Sequence, residues 1–322
     1  MDFKYNYIIA GGSGFYEVAY SDLFNMQNVI YFRNYIDGIN SKIKRLLLRA
    51  NFNLKVNKLI RAPFGKLVYP WLFPHSFKEN SPLCFIFFGT QFAVINTSYL
   101  EYLRKKYPNA KFVLYMQDIV ASLPYYDIES YKKRFDLVLS YDKGDCERYN
   151  LEYYPTPFSK IDVAKLPKVE EDVDVYYCGA GKNRYATLFD TYRKCISQGL
   201  KCKFFIIGVP FENRIVGDGL IYDMLLSYKE NLAYAAKSKC ILEIMQENAD
   251  GYTPRLWEAI MFDKHLITNN DGVKGSKYYC LDGIHLLGEC SVLNFINNNI
   301  LYPEQIKEEM SPVNLLLKIE SI

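Results

Sequence analysis

Short apolar runs alternate along the chain with longer stretches in which apolar and polar positions recur at helical spacing. "YNYIIAGG" (5–12), "NVIYFRN" (28–34), "LCFIFFG" (83–89), "KFVLYMQD" (111–118) and "FDLVLSYD" (135–142) are largely apolar and stop on glycine, a polar residue or an acid. Runs of this kind predict strands buried on both faces, as in a parallel sheet covered by helices. Between them, residues 41–61 have helical spacing, with Ile43, Leu47, Ala50 and Leu54 on one face and basic residues around them. "NTSYLEYLRKKYPN" predicts a helix ended by Pro108.

The same alternation restarts after "PTPFSKIDVAKLPKVEED" (155–172), whose prolines and mixed charge predict a linker. "DVDVYYCGAG", "KCKFFIIGV", "CILEIMQ" and "KHLITNN" predict strands. "RYATLFDTYRKCISQGL", "YKENLAYAAKSK" and "TPRLWEAIMFD" predict helices, and further helices are expected at 289–298 and from about 303. The expected fold is α/β, with two Rossmann-like doubly wound domains facing each other across a cleft. The boundaries are 1–155, a linker at 156–172, 173–300, and a C-terminal helix at 301–322 that crosses back to the first domain. The cleft is the default place for a ligand.

Composition narrows the class. At 322 residues and half apolar, the chain can fill two cores. The net charge of +3 is too mild for a dedicated nucleic-acid binder. The charge is uneven, because Gly38 to Lys78 holds nine Lys or Arg and no acid. That stretch is either a solvated helix face or, across 41–66, a cationic and partly apolar surface for anionic head groups. The eight cysteines form no CxxC pair and only three histidines are present, so no zinc site is expected and the thiols suit a reducing cytoplasm. "EDVD" (171–174) precedes its strand instead of following one, and no required metal is expected. Neither a signal peptide nor a membrane-spanning run is visible, so a cytoplasmic protein is expected, with the inner face of the membrane as a candidate location.

Candidate chemistry concentrates in "ADGYTPRLWEAI" (249–260). Thr253 is an apt N-cap and Pro254 suits the first helical position. Free amides at a helix start favour an anion, and Gly251 lets a phosphate approach the backbone. Arg255 at the helix start suits a phosphate partner. Glu258 is expected to offer a carboxylate with little packing of its own, against the plainer reading of an ordinary cap and a solvated helix residue. "YYCGAGKNRY" (176–185) adds a glycine turn, Gly179 and Gly181, with Lys182 and Arg184 as cations at a strand's carboxyl end. It is not a phosphate-binding G-x-x-x-x-G-K-[ST] loop.

Asp250, seven residues, then Glu258 resembles the acid–x7–acid motif of GT-B glycosyltransferases of the family 4 type. The resemblance covers about 174–272 and extends to transferases of bacterial capsule and lipopolysaccharide synthesis. Asp250 departs from the usual first Glu. The resemblance implies a nucleoside diphosphate sugar as donor, UDP-linked by preference, with no further cofactor. Asp250 would reach the transferred sugar, Glu258 the ribose, and the amides of Gly251, Tyr252 and Thr253 the diphosphate, aided by Lys182 and Arg184. Tyr228 and Asn231 fall where related transferases line the base pocket. The first domain would bind a glycan or lipid-linked acceptor, the second the donor. Asp118, ending a central strand, is the preferred general base if the reaction inverts. Asp142 is a weaker candidate, and Glu17 is either a base or a helix cap. His75 is expected to be structural.

Two other classes remain open on the residues alone. One is an NAD-type oxidoreductase using "GGSG", with Asp37 on the ribose, although Glu17 stands where the third fingerprint glycine would be. The other is a non-catalytic nucleotide-sugar binder.

Overall fold

The computed structural model describes residues 2–12, 14–60, 64–89, 97–123, 127–169, 172–245, 251–279, 282–289 and 291–322. The chain divides into two compact units, Met1–Ser159 with Pro312–Ile322, and Lys160–Ser311.

In the first unit β1 (Asn6–Ala10), β2 (Val29–Phe32), β3 (Leu83–Phe88), β4 (Lys111–Met116), β5 (Leu137–Ser140) and β6 (Glu152–Tyr153) form one sheet in the order 2-1-3-4-5-6. Every pairing is parallel. The strands are buried on both faces, as their unbroken apolar runs require. Phe85 stacks on Phe112 at 5.3 Å, inside a core that includes Ile8, Phe87 and Leu114. The helix Pro312–Ser321 belongs to this unit. Its Leu315, Leu316 and Ile319 are fully buried, Lys111 Nζ donates to the Ile319 carbonyl at 2.7 Å, and the Tyr7 hydroxyl donates to Glu320 Oε1 at 2.9 Å. Residues 155–159 also pack here. Phe158 is buried, and the Ser159 amide and hydroxyl both donate to the Ala19 carbonyl at 2.9 Å.

The helix expected over 41–61 is two helices, Lys42–Phe52 and Leu54–Leu59. Asn53 ends the first and caps the second, its Oδ1 accepting from the Lys55 and Val56 amides. The buried face is Leu48, Asn51 and Phe52, whereas Ile43 is exposed. Leu46, Leu47 and Leu48 are consecutive, so spacing alone does not set the phase; tertiary contacts do. Asn51 Oδ1 then accepts from the Phe64 and Gly65 amides, each at 3.1 Å.

In the second unit β7 (Val173–Ala180), β8 (Cys202–Ile207), β9 (Leu220–Tyr222), β10 (Ser238–Glu243), β11 (His265–Thr268) and β12 (Ile284–Leu286) run 12-11-10-7-8-9, again all parallel. Counted from β7, this is the 3-2-1-4-5-6 order of the dinucleotide-binding fold. In place of the helix expected at 289–298 there is a single 3-10 turn, Val292–Asn294. Phe295 and Ile296 beyond it turn into the core, which ends the helix. The described cysteines are free thiols. Among the described residues no helix is long and apolar enough to cross a membrane.

Candidate functional site

In the second unit β7 and β10 lie side by side, and the chain leaves them toward opposite edges of the sheet. Open α/β sheets bind ligands outside the carboxyl ends of such strands. The residues found there include Arg184, Glu243, Arg255 and Glu258.

β7 runs into Gly179 and Gly181. A Cβ on Gly181 would stand 2.4 Å from Val209 Cγ2, and one on Gly179 would stand 2.9 Å from the Tyr177 hydroxyl. Both positions are therefore fixed by close packing. A 3-10 turn, Lys182–Arg184, then leads into the helix Tyr185–Ser197. Lys182 is exposed with φ 40, in the left-handed region, and makes no hydrogen bond or ion pair among the described residues.

Arg184 is not a solvated cation of that turn. One Nη donates to the Ile244 carbonyl at 2.6 Å and the other to the Ala180 carbonyl at 2.7 Å, so the guanidinium ties the end of β7 to the end of β10. Its Nε is buried with no hydrogen-bond partner among the described residues. Burial lowers the Arg184 pKa and neighbouring Arg255 adds to this, against Tyr177 and Glu243.

The helix Pro254–Met261 starts as the sequence indicates, with Thr253 Oγ1 accepting from the Arg255 amide at 3.2 Å. The same hydroxyl donates to Glu243 Oε1, and Thr268 Oγ1 donates to Glu243 Oε2 at 2.5 Å. Glu243 thus anchors the helix start to β10 and β11. Arg255 does not stand free at the helix start; its Nη donates to the Cys178 carbonyl. Burial acts against its charge, but Glu258 above all, then Tyr177, Cys178 and Glu243, raise its pKa overall.

Glu258 is buried. Its Oε1 accepts from the Tyr228 hydroxyl at 2.8 Å and from Asn231 Nδ2 at 3.2 Å, and Asn231 Oδ1 in turn accepts from the Tyr176 hydroxyl at 3.0 Å. The expectation of little packing is overturned, because the carboxylate joins two helices to a strand. No hydrogen bond to Oε2 is formed among the described residues. Burial raises the pKa of both Glu243 and Glu258; Thr253 and Thr268 temper the first, Arg255 with Tyr228 and Asn231 the second. The site is a group of two buried carboxyl and two half-buried guanidinium side chains.

Other candidates fall in different surroundings. The Tyr252 ring packs against Trp257 and Tyr278. The Gly251 carbonyl accepts from Asn270 Nδ2 at 3.3 Å. Asp250 lies outside the described residues. In the first unit Asp118 is half-buried just beyond β4, and burial raises its pKa. Glu17 caps its helix, Oε2 accepting from the Gly14 amide at 3.2 Å, and pairs with Arg33. Asp142 caps the helix Lys143–Tyr149. Asp37 accepts from the Arg33 and Gly38 amides, which occupies the carboxylate proposed for a dinucleotide ribose. His75 binds the Phe73 carbonyl and Tyr107, a structural role.

Sequence reasoning missed Glu243. Its signal was present: an acid at the carboxyl end of the apolar run "CILE". Among the described residues no group of three or more His, Cys, Asp or Glu is placed to hold a metal ion.

Neither a protein-family model nor a curated protein matches the chain. Among solved structures, the trehalose-6-phosphate synthase OtsA superposes with a TM-score of 0.50 at 11% identity, over 91% of this chain and 83% of that one. An alpha-glucosyltransferase in complex with UDP-glucose and DNA containing an abasic site matches at TM-score 0.47 and 14% identity, over 98% and 89%. An alpha,alpha-trehalose-phosphate synthase (UDP-forming) from Burkholderia vietnamiensis matches at 0.46 and 8%, over 99% and 96%. The fold is the two-unit α/β architecture of GT-B, each unit built on a six-stranded parallel sheet.

Proposed function

We propose that the protein is a glycosyltransferase that takes a sugar from a nucleoside diphosphate donor, with the donor at the carboxyl ends of β7 and β10. The observation that carries this reading is Arg184: a guanidinium held by two strand-end carbonyls at the switch point, with a buried Nε that has no hydrogen-bond partner among the described residues. A vacant buried donor is costly unless something accepts from it, and a diphosphate oxygen is a suitable acceptor. Arg255 adds positive charge, exposed Lys182 is assigned to the distal phosphate, and the amides that follow Gly251 lie at a capped helix start. In this reading Glu258 takes a ribose hydroxyl with Oε2, while Tyr228 and Asn231 hold Oε1. Catalysis then rests on fixed positive charge that meets the charge growing on the leaving diphosphate. Asp250 is assigned to the transferred sugar and Asp118 to the acceptor hydroxyl, where a burial-raised pKa suits a base.

The acceptor is read as a glycan or a lipid-linked sugar of surface polysaccharide synthesis, with a peripheral membrane contact through 41–66. The sequence resemblance over 174–272 and the acid-free basic stretch support this part. The experiment is a thermal-shift panel of UDP, GDP, their sugar conjugates and NAD, followed by donor hydrolysis. A shift with a diphosphate nucleotide that is lost in Arg184→Lys supports the reading. A shift with NAD alone, or none with any nucleotide, overturns it.

A further inference from the structure

The helix Lys42–Phe52 buries Leu48 and Phe52 and turns Ile43 and Leu46, one turn apart, away from that face. Lys42 and Arg49 flank these two leucine-sized side chains on the exposed side. The helix packs against Leu54–Leu59 and Gly65–Val68, which leave Leu59, Ile60 and Leu67 outward. These five aliphatic side chains are between 62% and 88% exposed. A helix surface in water normally carries polar residues there, so five exposed aliphatic side chains on neighbouring short elements mark a candidate interaction surface. Its charge is of one sign. No acid occurs from Gly38 to Lys78, and among the described residues Lys42, Arg45, Arg49, Lys55 and Lys66 form no ion pair. Exposed apolar side chains on elements whose only charged residues are cations complement a layer with negative phosphates outside and acyl chains beneath. A protein partner would more commonly be met with charge of both signs on the rim.

We infer that this three-helix surface docks on an anionic lipid bilayer. Ile43, Leu46, Leu59, Ile60 and Leu67 enter the acyl boundary, while Lys42, Arg49, Lys55 and Lys66 meet lipid phosphates. The inference extends the peripheral contact read above by assigning residues and lipid class, and it does not depend on the donor chemistry.

The test is co-sedimentation of the full chain with phosphatidylcholine vesicles, with and without phosphatidylglycerol, at low and high salt. The expected result is binding to the anionic vesicles, weakened by salt. Ile43→Ser/Leu46→Ser/Leu59→Ser and Lys42→Glu/Arg49→Glu should each weaken it by about tenfold or more. Because all five positions are exposed, an unchanged melting temperature confirms the fold of each variant. Absence of binding to either vesicle overturns the inference, and so does undiminished binding by either variant. Concentration-dependent dimerisation in solution that the apolar variant abolishes also overturns it, since a second copy would then cover the patch. Nucleotide binding, measured without vesicles, reports separately on the donor reading.

Discussion

The Tyr228 hydroxyl donates to Glu258 Oε1 at 2.8 Å, joining the start of one helix to the middle of another across thirty residues of sequence. Glu258 is therefore a structural residue as well as a candidate ligand. Glu258→Ala removes the carboxylate that the Tyr228 hydroxyl and Asn231 Nδ2, both partly buried, donate to. Each such loss costs about 1–3 kcal/mol, so chemical denaturation should show a clear drop in stability. Glu258→Gln keeps an acceptor and should melt close to wild type. If the Gln variant folds normally and loses nucleotide affinity, the ribose role is separated from the packing role.

Arg184 is the second test. Lysine keeps the charge but cannot reach both the Ala180 and Ile244 carbonyls while presenting a further donor. Arg184→Lys should lower diphosphate nucleotide affinity by more than about tenfold, equivalent to more than about 1.4 kcal/mol. Lys182→Ala, at an exposed side chain, should cost less and should weaken UDP more than uridine. Titration calorimetry of the two variants orders them. Equal affinities for wild type and Arg184→Lys would remove the diphosphate from this site.

The contrast between these two cations shows what the sequence could disclose. Strands buried on both faces leave unbroken apolar runs, so most of both sheets was legible. β6, β9 and β12 were not, because two or three residues at a sheet edge carry no measurable period. The helix start at Thr253–Pro254 was legible because capping is local chemistry. The engagement of Arg184 was not, since its acceptor on Ile244 is sixty residues away. The burial of Glu258 escaped for the same reason: its partners come from another helix. In the 42–52 helix, three successive leucines gave a pattern that fitted more than one face, and contacts made elsewhere chose between them.

Glu243 gives a prediction in pH. Burial raises its pKa above the ordinary 4.5, so the folded state holds the proton more tightly than the unfolded chain does. Its contribution to stability is then greatest below about 4.5 and declines as pH rises through the folded value, above which it is constant. Glu258 acts in the same direction. Denaturation of wild type and Glu243→Gln across this window isolates the effect. The stability of wild type relative to the variant should fall as pH rises from 4.5. A difference that stays level with pH would show that Glu243 has the same pKa folded and unfolded.

Gly181 and Val209 form the last test, one that separates packing from chemistry at the same turn. A Cβ at 181 would lie 2.4 Å from Val209 Cγ2, far inside contact distance, and the next nearest atom, Ile206 Cγ2, is at 3.3 Å. The φ of Gly181 is −68, which alanine adopts freely, so the cost is steric and not conformational. Overpacking of this kind costs about 1–3 kcal/mol. Gly181→Ala should lose that much, whereas Val209→Ala opens space at the point of collision. The double variant should be more stable than the sum of the two single losses predicts, the coupling expected for residues in contact. Strict additivity in denaturant melts would mean that Val209 is not what excludes a side chain at 181. A single variant that keeps its stability but loses nucleotide binding would place the phosphate, and not Val209, against this glycine.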